Sequence, residues 1–388
     1  MKRILLSILL SVAMLVGVFT VFSSSVLADP GGSPGAVYAM TNATANAVVM
    51  FNRSADGTLN NMKSFLSGGV GVGAGGPDTL GSQGSLLLTQ DGKWLLAVNA
   101  ESNDITVFRV KQNSLDMVDK VSSGGTMPTS LTISGNEVFV LNDKTPNITG
   151  FTLSNKGDLD PIWHSTRSLP TTGTGSFGQV GFDNSGNWLV VTDKADNAIL
   201  VYPMGSNQLP AMNPVTYSYS TLGGAPVPFS FTFDVQDNLL VVEVWAGGTI
   251  PPTVTPNGAV SSFDIKSDGT LKPISLSVHN MQNAACWIAA NQMGYVFTTN
   301  PGSGDISSYK EKDSSGKLML LSGDATTAVP TITPLDVGIT NNGRFLYALD
   351  PVNGGIDGFQ IAQDGTLTSV GTFYAGTFGL FAQGIAVQ

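Results

Sequence analysis

Hydrophobic residues in this chain come in runs of five to seven, rich in Val, Thr, Phe and Tyr and separated by polar turn residues. No stretch sustains a 3.6-residue period. The pattern predicts short strands joined by tight turns. One phrase recurs. Residues 91–108 read DGKWLLAVNAESNDITVF, residues 185–202 SGNWLVVTDKADNAILVY, and residues 342–359 NGRFLYALDPVNGGIDGF. Each is a turn pair, an apolar strand, a closing polar residue, a short polar link and a second apolar strand.

Aligned on the residue that closes the first of those strands, seven copies appear, at Asn42, Asn99, Asn142, Asp193, Val244, Asn300 and Asp350. Their spacings of 57, 43, 51, 51, 56 and 50 residues suit a four-stranded propeller blade. The second copy divides most clearly, into predicted strands at 85–89, 94–99, 105–110 and 115–121. Asp91-Gly92, Ser185-Gly186 and Asn342-Gly343 are turn pairs between first and second strands. Asp56-Gly57, Asp268-Gly269 and Asp364-Gly365, each opening a DGTL turn, join third to fourth. The first copy lacks an inner strand, and residues 384–387 near the chain's end supply one. The predicted fold is all-β: a seven-bladed propeller over residues 37–388, its ring closed by the C-terminal strand, which leaves few open sheet edges.

The first 28 residues read differently. Lys2 and Arg3 precede an uncharged apolar stretch from Ile4 to Phe22, and Val26-Leu27-Ala28 offers small residues at a cleavage site. This predicts a secretory signal peptide cut after Ala28, followed by a short flexible N-terminus over residues 29–36. The alternative is a retained membrane anchor, since the stretch is just long enough to span. The expected location is secreted, periplasmic or cell-surface, with no membrane span after cleavage. Asn42-Ala-Thr44 and Asn147-Ile-Thr149 are glycosylation sequons, relevant only in a eukaryotic secretory pathway. Without residues 1–28 the chain has 16 basic and 28 acidic residues, a formal charge of −12. Such a surface does not attract nucleic acid. The lone Cys286 allows no intrachain disulfide, so a monomer must draw its stability from its core.

Blades of this size, with DG-(K/R)-(F/W)-L-x-x-x-(N/D) hairpins and DGTL turns, resemble the lactonase-like seven-bladed β-propeller family. That family includes propeller-type 6-phosphogluconolactonase and carboxymuconate cyclase. A second resemblance, to YVTN-type surface propellers, rests on FTTN (297–300) and VVTD (190–193). The first implies lactone chemistry by His, Arg and Glu near a central channel, with His or Arg where inner strands begin. Here those positions hold Gln83-Gly84-Ser85, Pro128-Thr129, Phe177-Gly178, Pro228-Phe229, Ala284-Ala285, Pro334-Leu335 and Gln383-Gly384. None is His or Arg, and a phosphorylated or carboxylated lactone calls for a cationic clamp.

Three features remain as candidate chemistry. Asn42, Asn99, Asn142, Asp193, Asn300 and Asp350 share one repeat position. There they would either ring the channel, binding a polyol or a hard cation such as Ca2+, or cap their own hairpins. His279 and Glu243 are the candidate catalytic pair, as base and orienting carboxylate; a lone histidine near a loop is more often scaffold. Trp245 opens a long proline-containing loop (244–259) that offers a lid or a sugar-stacking face. GVGAGG (71–76) and GTGSFG (173–178) match a dinucleotide fingerprint but lack the βαβ context it needs. GGSPG (31–35) cannot form a nucleophile elbow. His164, in DPIWHSTR, falls in an outer strand. The expectation is an exported propeller that binds a small molecule, glycan or protein through its channel-face loops, with no cofactor required. The alternative is a lactone hydrolase or a carboxymuconate-cyclase-like enzyme.

Overall fold

In the computed structural model, residues 34–388 are described, apart from 74, 77, 173–174, 220–225, 245–257, 322–332, 377–378 and 380–381. The expected signal peptide, most of the short N-terminus, and Trp245 with most of its loop lie outside the described residues. The compact unit Gly32–Gln388 is all-β and consists of seven antiparallel sheets, six of them built from strands consecutive in the chain. Blade two runs Leu86–Leu88, Trp94–Asn99, Asp104–Lys111 and Ser114–Ser122, each boundary within one residue of the predicted strands. Blade one takes its inner strand from the chain's end. Ile385–Val387 pairs with Gly35–Met40, and Ala47–Arg53 and Leu59–Leu66 follow. The Arg53 guanidinium clasps that last strand by donating to the Gln388 carbonyl, from Nη2 at 3.0 Å and from Nε at 3.3 Å.

The alternation along each strand buries both faces between neighbouring sheets. Between blades four and five, for example, Val190, Ile199 and Val201 meet Phe231, Leu239, Val241 and Phe263, all essentially unexposed. Each such side chain contributes about 1.5–3 kcal/mol on burial. Many such seams stabilise the ring without a disulfide.

The recurring phrase has a packing reason that periodicity alone does not reveal. The aromatic residue opening a second strand lies under the glycine of the next blade's turn between third and fourth strands. Trp94 sits beneath Gly157, Trp188 beneath Gly269, Tyr295 beneath Gly365, and Phe345 beneath Gly57. A β-carbon at Gly365 would stand 2.5 Å from the Tyr295 ring. All four glycines have φ between +83° and +96°, which disfavours any side chain there. The DG turn and the hairpin aromatic therefore form one joint between blades.

Candidate functional site

The inner strands leave one edge free toward the channel, and the preceding blade's side chains satisfy part of it. Val180 N–H donates to Ser130 Oγ at 3.2 Å, Phe182 N–H to Thr132 Oγ1 at 3.0 Å, and Phe231 N–H to Gln179 Oε1 at 2.8 Å. Where the inner strands begin, residues 78–84 leave blade one and cross the channel as a strap. The Gln83 amide pairs with both backbone groups of Ile288 in blade six, at 2.9 and 3.0 Å. Trp287 Nε1 donates to the Ser82 carbonyl at 2.9 Å, and Ser82 Oγ donates to the Thr129 carbonyl of blade three at 2.8 Å. Gln83 N–H reaches Gly178 of blade four, and Leu80 N–H reaches Gln383 Oε1 beside blade one at 2.6 Å. One segment thus ties five blades across the axis. Beyond it the channel holds a cavity of about 310 Å³, lined by Gln83, Leu87, Leu131, Val180, Phe182 and Phe231, among others.

The strap brings together titratable groups from distant positions. Lys194, which follows blade four's second strand, donates to the Gly81 carbonyl. Its ammonium lies 4.8 Å from the centre of the Phe229 ring, a cation–π distance. Burial lowers its pKa, and Asp78 and Asp143 counter that shift. Asp78 accepts from Gln383 Nε2 at 2.7 Å. Burial pushes its carboxyl up to about 6, against the pull of Lys194. Asp336 is almost unexposed and accepts from Gly384 N–H at 2.9 Å. Burial, with Asp78 as a lesser cause, pushes it up to about 7. Cys286 is buried beside these groups and its thiol is held well above the usual range, chiefly by burial.

The residues singled out from sequence are placed as follows. Asn42, Asn99, Asn142, Asp193, Asn300 and Asp350 are all unexposed. Asn99 shows their setting. Its amide donates to Asp104 at 2.6 Å and Thr106 at 2.9 Å, and its carbonyl accepts from Asn46 and Ser67 of blade one at 2.8 and 2.6 Å. Asn300 repeats this with Asp305, Ser307 and Asn280. Asn142 donates to Asn147 and to the Ser123 carbonyl. Asp193 and Asp350 accept from backbone N–H groups two or three residues on. Asn42 holds Thr79 and Val72 of the strap's approach. These groups latch strand ends to connections. Among the described residues, no group of three His, Cys, Asp or Glu side chains is placed to hold a metal.

His279 closes blade five's outer strand, Leu271–His279, opposite Ala259, and Ala259 stands opposite Glu243. The two candidates share a sheet face but lie two strands apart, about 10 Å at the usual strand spacing. Glu243 is unexposed and accepts from Ser261 and, at 2.6 Å, from Ser277. Ser277 has a φ of 45°. Burial is the leading cause raising the Glu243 pKa, and the serine hydrogen bonds oppose it.

The strap group was missed because residues 78–84 have no strand period. The signal in the sequence was the 57-residue spacing from Asn42 to Asn99, the longest of the six. The described connections at this face carry two cations, Lys144 and Lys194, against the carboxylates Asp78, Glu101, Asp143, Asp196 and Asp336.

Seven blades in a ring closed by the C-terminal strand define a seven-bladed β-propeller. Residues 35–168 match the family model described as "Lactonase, 7-bladed beta-propeller". Solved structures with the same fold include a periplasmic gluconolactonase of Pseudomonas aeruginosa, at 15% identity and a TM-score of 0.65 over 88% of this chain and 96% of that one. A protein of Bacteroides uniformis, assigned as a 6-phosphogluconolactonase, gives 18% and 0.67 over 90% and 99%. A protein from Lactobacillus plantarum gives 12% and 0.67 over 90% and 99%. No curated protein sequence matches the chain.

Proposed function

We propose that this protein is an exported binding propeller whose ligand is an uncharged, hydroxyl-rich small molecule, such as a neutral sugar or sugar lactone. The ligand binds where the inner strands begin, against the strap. The observation that carries this reading is the state of Lys194. Among the described residues it is the one cation seen hydrogen-bonded to the strap, and it is already engaged by the Gly81 carbonyl and flanked by Asp78 and Asp143. A phosphate or carboxylate would meet more negative than positive charge there, without the bidentate donors that hold such groups. A neutral polyol would meet amide, hydroxyl and carboxylate partners suited to hydrogen bonding. Titration calorimetry with glucono-δ-lactone, glucose and 6-phosphogluconate tests it. Heat of binding from a neutral compound, and none from the phosphorylated one, is the expected result. Selective binding of 6-phosphogluconate would overturn it.

A second reading, hydrolysis of a neutral lactone, is favoured by one feature. Asp78, with its carboxyl raised to about 6 beside Lys194, has the proton affinity of a general base working near neutrality. Acid release from glucono-δ-lactone that disappears in Asp78→Asn would establish it. Release that survives Asp78→Asn but not His279→Ala would shift the chemistry to blade five.

A further inference from the structure

The outer strand of blade three is interrupted. Leu159–Pro161 and Arg167–Ser168 both pair with Asn147–Leu153, and the five residues 162–166 between them stand opposite only Thr149 and Gly150. This bulge projects Trp163, which is 81% exposed. His164 holds a φ of 61°, and its ring meets the indole edge-on with centroids 4.6 Å apart.

The loop that carries Trp163 is held firmly. Ser165 Oγ accepts from Gly150 N–H at 3.0 Å and lies 2.8 Å from the Ile162 carbonyl and 3.1 Å from the Gly150 carbonyl. Arg167 is only 6% exposed. It donates to the carbonyls of His164 and Thr166 at 2.7 and 3.0 Å. It also reaches Pro210 at 2.5 Å and Ala211 at 3.0 Å, in blade four. A buried arginine thus pins the bulge and the neighbouring loop together, in a fold where most arginines would face water. The result is a large aromatic side chain presented to solvent from a pinned loop, so that binding has little loop ordering left to impose.

We infer that Trp163 is a stacking platform for the pyranose ring of a neutral polysaccharide. The indole face is electron-rich and attracts the C–H groups on the apolar face of a sugar ring. The broken edge argues against a protein partner adding a strand, because pairing needs a continuous row of backbone groups. The acidic surface, with a formal charge of −10 for the whole chain, repels polyanions. A neutral glycan satisfies all three conditions.

Affinity electrophoresis in gels containing soluble α-1,4-glucan, β-1,4-glucan, β-1,3-glucan, mannan or glycol chitin tests the proposal. The full protein should be retarded by at least one of them. Trp163→Ala should lose about tenfold or more in affinity, with unchanged near-ultraviolet signals from its buried aromatics. Trp163→Phe should retain part of the retardation, and Lys194→Met all of it, which separates this site from the channel mouth. Unretarded wild-type migration in all five gels, or equal retardation of Trp163→Ala and wild type, would overturn it.

Discussion

At the residue scale, the feature with the clearest consequence is a set of buried carboxyls with raised proton affinity. Burial is the leading cause at Asp78, Asp193 and Asp357, each near 6, and at Asp336 and Glu311, each near 7. In the unfolded chain such groups titrate near about 4. The folded state therefore holds more protons than the unfolded state between these values, and stability falls as pH rises through them. His279, whose pKa burial lowers, acts in the opposite direction, but burial raises Glu137, Asp237 and Glu243 as well as the five. The melting temperature should be higher near pH 5 than near pH 8, as thermal unfolding across that range would show. Asp336→Asn should flatten the fall, because its amide can still accept from Gly384 N–H but has no proton to lose. A melting temperature that climbs steadily from pH 5 to pH 8 would contradict this assignment.

At the element scale, the joint between a DG turn and the next hairpin's aromatic explains the repeated phrase. Gly365→Ala should cost about 2–5 kcal/mol, from the left-handed backbone and the clash with Tyr295 together. Gly354→Ala is the control. It has φ +74° but nothing within 4 Å of the added carbon, so it should cost only about 1–2 kcal/mol. Urea unfolding of the two variants separates conformational from packing cost; equal losses would mean that the joint contributes little. This scale was the most legible in sequence. Turn pairs and alternating strands are local signals, so the hairpins and the borrowed inner strand could be read directly. The partner of each aromatic could not, because it lies 63 to 81 residues away, or at the opposite end of the chain for Phe345 and Gly57. Likewise, His279 and Glu243 were close enough in sequence logic to suggest a pair. Only the sheet register shows Ala259 between them. The bulge at Trp163 was invisible for a related reason. DPIWHSTR has the composition of a strand, and it is Arg167, reaching into blade four, that turns it outward.

At the scale of the whole molecule, two long-range closures define the propeller. One is the C-terminal strand, clasped by Arg53; the other is the strap across the channel. Deleting residues 385–388 opens the ring and exposes the edge of Gly35–Met40. It should lower the melting temperature by well over ten degrees and promote association through the freed edge, detectable by light scattering. An unchanged melting temperature would mean that the ring does not depend on that strand.

The strap has the larger functional consequence. It brings Lys194 and Asp78 together and engages the Lys194 ammonium with the Gly81 carbonyl, so that among the described connections at this face Lys144 is the one other cation. The most direct test of the account is a pH-stat comparison of 6-phosphoglucono-δ-lactone with unphosphorylated glucono-δ-lactone. No acid release from the phosphorylated lactone above its spontaneous rate is the expected result. Rapid turnover of that lactone, abolished by Lys194→Met, would show that Lys194 is a working clamp and would contradict the account.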